Sequence, residues 1–344
     1  MRKQVGVIVA AIFYYSGLLR LARWWMQRKG QNLIILNYHR ATGGDLRRHL
    51  LYLRRHYRMM HLEEALEELF DTKNESKQKR DRRTLLALTF DDGYFDNYTA
   101  AFTLARELRV PFTIFLIPGY IESGEPFWWL EGKRLARLTQ VEKVTIDGYV
   151  YHLEKTGERG NLAMAIDSHL RMARSVAERD SLLLDLRNAL ALSDKEKVDS
   201  AIKPLTWVEV HEMEKSGWVS FGAHTMHHPI LAYLVDPGEV EREVSDCRTI
   251  LEQQLGHPVR TFAYPVGRLE HIGEEAIKAV RDAGYSWAVT TENGVSTKRS
   301  DAFLLQRKLG DVSRHWLVMA AEVSGIWNLF SPLWKNAIFG FGER

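Results

Sequence analysis

The chain has 344 residues, of which 45% are hydrophobic and 26% charged, a composition that fits a globular protein with a real core and excludes a largely disordered chain. Its 47 Lys and Arg nearly balance 44 Asp and Glu, and the formal charge of 47 − 44 = +3 excludes a strongly basic nucleic-acid binder. Cys247 is the single cysteine, which excludes an intramolecular disulfide framework and a multi-cysteine metal cluster.

The positive charge is concentrated at the N-terminus. Residues 1–60 carry twelve Lys or Arg and one acidic residue, a net charge of 12 − 1 = +11, which leaves 3 − 11 = −8 for the rest. The apolar run from Val5 to Leu19 is shorter than the ~20 residues a spanning helix needs, and no small-residue cleavage site follows it. We therefore predict an uncleaved, membrane-associated helix within residues 1–30, with a helix packed on the domain core as the alternative. Cations flank the run on both sides, so the side of the membrane stays open.

Between the two ends, short β-rich runs alternate with helical stretches. The strand-like runs are 33–38, 85–90, 112–117, 218–223, 261–265 and 286–291, and helical periodicity covers 45–57, 62–70, 97–108, 238–255 and 273–283. Strands separated by helices pair in parallel, so we predict an α/β fold, an irregular (β/α) barrel of six or seven parallel strands, with a doubly wound open sheet as the alternative. The barrel domain is expected over 31–314, interrupted by an insertion at about 126–203 that contains a hairpin around 144–153.

Residues 315–344 form an aromatic, amphipathic C-terminal tail with few charges. Pro332 interrupts any long helix in this tail. The tail is predicted either to cover one end of the barrel or to make a second contact with a bilayer.

Two adjacent carboxylates, Asp91 and Asp92, follow the strand-like run 85–90 and precede Gly93. In a parallel barrel the carboxyl ends of the strands form the functional rim. Adjacent residues on an extended chain point in different directions, so these carboxylates do not share one proton and have different roles. An ordinary turn is the simpler explanation of Asp-Asp-Gly taken by itself.

A histidine cluster, His224, His227 and His228, follows the strand-like run 218–223. His224 and His228 are four residues apart, so in a helical turn they lie on one face and converge on one cation. His227 then points elsewhere and makes a local hydrogen bond. Two imidazoles and one carboxylate at the same rim leave coordination positions open for water and substrate, as in a catalytic metal site.

The motifs TFDDG (Thr89–Gly93) and HTMHH (His224–His228) together resemble those of the polysaccharide deacetylase family, the carbohydrate esterases with a NodB homology domain. Supporting segments, in matching order over about 33–309, are Leu36–Arg40, Leu205–Thr225, Phe262–Gly267 and Gly284–Gly294. The resemblance implies a NodB-like barrel and a metal-dependent hydrolase. Its reaction would remove N-acetyl groups from amino sugars of a polysaccharide or a lipid-linked glycan.

The resemblance also implies roles for individual residues. Asp91 is the general base, and the ligands of a divalent metal are Asp92, His224 and His228. Zinc is the first expectation for this ligand set, with cobalt, nickel or manganese as alternatives. Substrate contacts are assigned to Tyr264, Val266 and Arg307. The backbone N–H of Val266 is expected to bind the oxyanion.

Two positions depart from the family pattern. Ala263 stands where many members carry an arginine that orients the base, so we expect another group, Arg307, to take that role. Arg307 itself stands where members carry the histidine of a Leu-x-His motif, the general acid. His39, at the end of the first strand, is the candidate replacement, and the alternative is that it only packs or caps a turn.

Two other interpretations stay open at this point. One is a degenerate homologue that binds glycan without cleaving it, and the other is a hydrolase of another acyl or formyl amide. The predicted partners are an N-acetylated glycan and the lipid of the bacterial cell membrane, and no nucleic acid. Trp128, Trp129 and Trp207 are candidates to stack on sugar rings, although burial in the core explains a tryptophan equally well.

Overall fold

Seven parallel strands close into a barrel in the computed structural model, which describes residues 2–28, 30, 32–71, 81, 83–192 and 202–329. The strands in chain order are β1 (Asn32–Tyr38), β2 (Arg58–Met60), β3 (Leu85–Phe90), β4 (Phe112–Leu116), β5 (Lys143–Ile146), β6 (Tyr149–His152), β7 (Val219–Ala223), β8 (Thr261–Ala263), β9 (Trp287–Asn293), β10 (Ser296–Thr297) and β11 (Leu305–Leu309). The barrel order is β1-β3-β4-β7-β8-β9-β11, closed by the pairing of β11 with β1. The predicted barrel is therefore confirmed, and the open sheet is excluded.

Helices surround the barrel in the order that the alternating pattern predicts. They are α1 (Arg2–Tyr15), α2 (Leu18–Arg28), α3 (Leu46–His56), α4 (Leu62–Phe70), α5 (Thr103–Leu108), α6 (Pro118–Ser123), α7 (Trp128–Leu138), α8 (Glu158–Arg171), α9 (Val176–Ala189), α10 (Trp207–Lys215), α11 (Pro237–Leu255), α12 (Leu269–Ile272), α13 (Glu274–Asp282) and α14 (Trp316–Ser324). Local chemistry sets several ends. The longest helix, α11, begins after the side-chain cap of Asp236, has Pro237 in its first turn and ends at Gly256 in the left-handed conformation.

Side chains of the barrel strands alternate between two apolar layers. On β3, Leu85 and Ala87 belong to the cluster inside the barrel, whereas Leu86 and Leu88 belong to the cluster between strands and outer helices. The inward positions continue to Asp91, directly after the strand. The period of two residues therefore decides which of the paired carboxylates enters the barrel.

The same alternation operates in the strands across the barrel. A Cβ on Gly222 of β7 would meet the Phe115 ring, and Leu305 of β11 lies in the inner cluster, so both positions face inward. Two residues further along the chain lie His224 and Arg307. Closure of the barrel thus brings inward-facing side chains from distant segments to one rim.

The predicted insertion forms a separate layer of α7, α8 and α9 with a β5–β6 hairpin. The hairpin turns at Asp147-Gly148, both with positive φ, as a two-residue turn requires. Buried side chains of these helices form their own cluster, which reaches the barrel through Tyr94, Ile117 and Tyr120.

Three strands, β2, β10 and β11, were not predicted, because they are short or carry polar residues.

The N-terminal segment forms two helices that pack on the domain. The ring of Phe13 lies 5.4 Å from that of Trp327, and Tyr14 lies 5.1 Å from Trp316 at the start of α14. Among the described residues, no single helix is long and apolar enough to cross a membrane, and only the pair Gln4–Tyr15 and Leu18–Arg28, bent by 72°, meets the length and composition together. The segment is thus a helical pair packed on the domain, as the alternative predicted, and the fold gives no support to a membrane helix separate from the domain.

The C-terminal tail is described as far as residue 329. Its first part, α14, packs on α1, α2 and α3 in the outer helical layer. The remaining tail, 330–344 with Pro332, lies outside the described residues.

Gly222 offers a test of the packed barrel interior. A Cβ there would lie 2.6 Å from both Phe115 Cε1 and Thr261 Oγ1, so Gly222→Val should lower the free energy of unfolding by about 1–3 kcal/mol. Gly160 on α8 has no atom within 4 Å of an added Cβ, and Gly160→Ala should raise stability by about 0.5–1 kcal/mol. Urea denaturation measures both variants. An unchanged midpoint for Gly222→Val would contradict the inward orientation of this position.

Candidate active site and metal centre

A buried ion pair joins β3 to β11 across the barrel interior. Arg307 Nη1 donates to Asp91 Oδ1 at 2.7 Å, and Arg307 Nη2 donates to Asp91 Oδ2 at 2.8 Å. The third donor, Arg307 Nε, bonds the carbonyl oxygen of Thr290 at 2.7 Å. Arg307 is 1% exposed, so its side chain orients the carboxylate and offers no surface to a substrate. The base-orienting role expected of Arg307 matches this geometry, whereas the assigned substrate contact does not.

The charge state of Asp91 follows from two opposing effects. Burial disfavours ionisation of this carboxyl, but the positive charge of Arg307, with nearby His224 and His39, outweighs burial and lowers the pKa of Asp91 to about 2. Asp91 is therefore ionised at neutral pH. It is also a weak base, because its proton affinity is low.

Asp92, His224 and His228 converge as the sequence predicts. One ligand atom from each lies within 4.8 Å of the others, and all three residues are buried. Asp92 Oδ1 lies 3.5 Å from His224 Nε2 and 3.6 Å from His228 Nε2, too far for good hydrogen bonds. Ligand atoms at about 2.0–2.1 Å from a tetrahedral zinc ion lie about 3.3 Å apart, so the spacing suits a shared cation.

An unpaired polar atom supports the same fit. In the described part of the chain, Asp92 Oδ1, the atom that lies nearest both imidazoles, is buried without a hydrogen-bond partner. The His224 Nδ1–H donates to the carbonyl oxygen of Ala263 at 2.6 Å, which leaves the lone pair of Nε2 facing Asp92. Burial, the larger cause, and the neighbouring His224, the smaller one, lower the pKa of His228 to about 3. The His228 ring is therefore neutral and can offer a nitrogen lone pair to a metal ion. The three side chains therefore fit a divalent metal.

The loop from His224 to His228 is not the helical turn assumed from the spacing. Thr225 and His228 have positive φ values of 64° and 56°, and the Thr225 hydroxyl accepts the backbone N–H of His228 at 2.9 Å. A β-branched residue in this region is strained. The loop, and not a helix face, brings the two imidazoles to a centroid separation of 4.8 Å.

Glu243 on α11 fixes this loop through two hydrogen bonds. Its carboxylate accepts the backbone N–H of His227 at 2.9 Å and the His227 Nδ1–H at 2.6 Å. His227 therefore bonds to Glu243, a residue of another element, and does not make the local hydrogen bond predicted for it. Glu243 was missed in the sequence because an acidic residue within a charged helix gives no distinguishing signal.

Side chains of the insertion also fix the loop of residues 224–228. Arg179 on α9 donates to the His227 carbonyl oxygen at 2.8 Å, and Trp128 Nε1 donates to the His228 carbonyl oxygen at 3.0 Å. The half-exposed Trp129 ring lies 4.2 Å from the His228 ring. Arg179 is 4% exposed and was also missed in the sequence. The insertion thus forms part of the metal site's support.

His39 lies beside the carboxylates at the end of β1. The register pairs Tyr38 with Phe90, so His39 and Asp91 follow at the ends of neighbouring strands. The half-buried His39 ring contributes to the lowered pKa of both Asp91 and Asp92. A third carboxylate, Asp96, accepts the backbone N–H groups of residues 41 and 42 at 3.1 and 3.2 Å and fixes the loop after His39.

Val266 occupies a strained turn shortly after β8. Its φ is 59°, and the Thr291 hydroxyl donates to its carbonyl oxygen at 2.7 Å. The N–H of Val266 takes part in no hydrogen bond with any described residue. An unpaired N–H held in a rigid turn suits the oxyanion contact expected of it.

Tyr264 and Trp207 pack in the outer layer, and Trp128 is buried beside His228. Ala263 faces inward, so the alternation sends Tyr264 outward, where it is 1% exposed and packs on Phe262 in the outer cluster. The substrate contact assigned to Tyr264 has no exposed side chain to make it. Trp128 is 3% exposed, and Trp207 packs against the outer cluster.

Comparison with known proteins agrees with this geometry. The profile of the polysaccharide deacetylase family matches residues 78–288. The chain belongs to the polysaccharide deacetylase family. It is therefore a hydrolase of non-peptide carbon–nitrogen bonds, a carbohydrate esterase by class.

Individual relatives of this deacetylase are distant. YxkH of Bacillus subtilis (strain 168), itself provisionally assigned as a polysaccharide deacetylase, is 23% identical over 293 residues, 83% of this chain and 73% of that one. The Streptococcus pyogenes deacetylase PplD, solved in complex with acetate, has a TM-score of 0.53 at 19% identity, covering 84% of this chain and 97% of that one. IcaB from Ammonifex degensii has a TM-score of 0.53 at 19% identity, covering 86% and 98%. The two structures support the fold alone.

The ion pair predicts an asymmetry between single and double substitution in the deacetylase. Arg307→Leu leaves the buried Asp91 charge without its partner and should cost about 3–5 kcal/mol of unfolding free energy. Asp91→Leu combined with Arg307→Leu should recover most of that loss. Urea denaturation compares the variants, and a cost below about 1 kcal/mol for Arg307→Leu would contradict the pairing.

The same pair predicts acid sensitivity. The folded pKa of Asp91, about 2, lies below the ordinary carboxyl value of about 3.9, so the pair stabilises the wild type fully above about pH 4. This contribution is lost as the pH falls towards 2. The double Leu variant should lose less stability over that window. Equal losses in both proteins would argue against a depressed pKa.

The hydrogen bond from Arg179 to the histidine loop predicts that the insertion raises the affinity for the metal. Arg179→Met removes the hydrogen bond to the His227 carbonyl oxygen and should weaken metal binding about 10–100-fold. Arg174→Met is the matched control, because Arg174 is 70% exposed and makes only a surface ion pair. Competition with a chromogenic chelator measures the affinities. Equal affinities would show that the loop does not need this support.

Proposed function

We propose that this deacetylase removes acetyl groups from N-acetylated amino sugars of a polysaccharide or a lipid-linked glycan. One observation carries the proposal: an ionised carboxylate, Asp91, lies beside the ligand set of Asp92, His224 and His228 without belonging to it. A protein that only binds glycan has use for the ligands but none for a separate, arginine-oriented carboxylate.

Asp92, His224 and His228 would hold a divalent ion, with zinc as the first expectation and cobalt, nickel or manganese as alternatives. Such an ion supplies the Lewis acidity that polarises an amide carbonyl and acidifies the attacking water. This chemistry complements a base whose pKa is about 2, since a weak base needs a more acidic water.

Asp91 accepts the proton of the water whose oxygen attacks the amide carbon. Its two oxygens are held by Arg307, so the acceptor keeps one orientation throughout the attack. The negative charge that forms on the amide oxygen is met by the unpaired N–H of Val266. The carbon–nitrogen bond then breaks, and acetate and the free amine are the products.

The leaving nitrogen needs a proton, which we assign to His39. Its place at the end of β1, beside Asp91 and Asp92, is the nearest equivalent to the histidine absent at the Leu305-Gln306-Arg307 position. His39→Gln should lower kcat about 10²–10⁴-fold with little change in metal content. Unchanged kcat would assign His39 to packing.

Trp129 is the proposed sugar platform. Its ring is half exposed, lies against His228 and stacks on Phe127 at 4.7 Å, so it is rigid and next to the metal ligands. Its N–H donates to the Tyr94 hydroxyl at 2.7 Å, which fixes the ring plane. A flat apolar surface at the rim suits the face of a pyranose ring.

The proposal is tested by comparing metal content and acetate release in three proteins. Wild type should retain near one divalent ion per chain, measured by elemental analysis after dialysis, and release acetate from N-acetylglucosamine oligomers. His224→Ala should lose both, because a ligand is gone. Asp91→Asn should keep the metal and lose turnover, because only the proton acceptor is gone.

Other outcomes separate the alternatives. Retained metal without acetate release from any glycan, together with glycan binding, would identify a non-catalytic homologue. Release of formate or a longer acid from matched N-acyl sugars, but not of acetate, would reassign the acyl group. Unchanged turnover in Asp91→Asn would remove Asp91 from the chemistry.

A further inference from the structure

The N-terminal helical pair exposes a continuous apolar strip, here named the outer face. It consists of Val5, Ile8, Ile12 and Tyr15 on α1 and Leu18, Leu21, Trp24 and Trp25 on α2. These positions recur every three or four residues, so they lie on one side of each helix. Their exposed fractions range from 41% for Leu18 to 78% for Tyr15. Eight large apolar side chains in one strip are far more than scattered surface residues.

The opposite side of each helix is committed to the domain. Ala10, Leu19 and Ala22 are buried in the outer core cluster, and Arg23 Nη1 donates to the Tyr52 hydroxyl at 2.6 Å. These contacts hold the pair against α14 and α3. The outer face therefore points away from the protein.

The charges carried by the two N-terminal helices have one sign. No acidic residue precedes Asp45 in the sequence. Arg20 and Arg28 on α2 are exposed and form no ion pair with any carboxylate in the ranges that the structure describes, and Arg28 lies 3.9 Å from the Trp24 ring. Cations beside Trp and Tyr, next to aliphatic side chains, match the order of phosphates and acyl chains at a bilayer surface.

A cavity of about 560 Å³ adjoins the end of this face. Trp24, Arg28, Arg58 and Arg83 contribute to its lining. Arg58 is paired with Glu68 and Arg83 with Asp81, so the unpaired charge in the lining is that of Arg28. The cavity thus places the positive charge of Arg28 directly beside the apolar strip.

We propose that the outer face docks the deacetylase onto the surface of an anionic lipid bilayer, lying in the interface without spanning it. The two helices of 14 and 11 residues are each too short to cross, and their bend of 72° suits a contact along the surface. This proposal concerns attachment, so it stands or falls separately from the proposed chemistry.

The test is binding of the full chain to vesicles by flotation. Wild type should float with vesicles of equal parts phosphatidylcholine and phosphatidylglycerol, and less with phosphatidylcholine alone. Ile8→Glu with Ile12→Glu should lower the partition coefficient by about tenfold or more, because two half-exposed apolar contacts become charged. Absence of wild-type binding to both vesicles, or binding unaffected by the double variant, overturns the proposal.

Two controls keep the result specific. Val208→Glu on α10 changes a residue that is 75% exposed outside the outer face, and it should bind like wild type. Arg20→Glu with Arg28→Glu leaves the apolar strip intact and should remove the preference for phosphatidylglycerol. A wild-type dimer that the Ile8 and Ile12 substitutions convert to a monomer, without vesicle binding, would identify a second copy as the occupant and overturn the lipid assignment.

Discussion

Closure of seven parallel strands is the constraint on which the rest of this deacetylase depends. A closed parallel barrel gathers the carboxyl ends of its strands at one rim and sends every second side chain inward. Asp91 and His224 directly follow β3 and β7, and Arg307 lies in β11. Each occupies an inward position, two residues beyond the inward-facing Thr89, Gly222 and Leu305 respectively. A shift of one residue in any of these strands would turn its polar group outward.

Arg307 neutralises the negative charge that the barrel buries at Asp91. A carboxylate 2% exposed inside an apolar barrel is costly without a partner, and Arg307 satisfies both of its oxygens. The arginine expected near Ala263 is thus supplied from another strand. The arginine also leaves Asp91 with a low proton affinity, so the proposed chemistry depends on the neighbouring candidate ligand set of Asp92, His224 and His228.

Backbone strain is concentrated where function is proposed. Asp92, Thr225, His228 and Val266 all have positive φ, and two of them are β-branched. Such conformations persist because surrounding contacts fix them. In the loop 224–228, Arg179 of the insertion and Glu243 of α11 supply those contacts. The insertion therefore stabilises the loop 224–228 in addition to forming a separate layer beside the barrel.

The sequence by itself determined the barrel class and singled out Asp91 and the candidate ligand set of Asp92, His224 and His228, because periodicity and short motifs are local properties of the chain. Only the tertiary structure decided that Tyr264 faces the outer layer and that Arg179 supports the histidine loop. It also supplied the two hydrogen bonds by which Arg307, the group expected to orient Asp91, holds that carboxylate. These contacts join residues far apart in the chain. Their existence depends on register and closure, which no local pattern encodes.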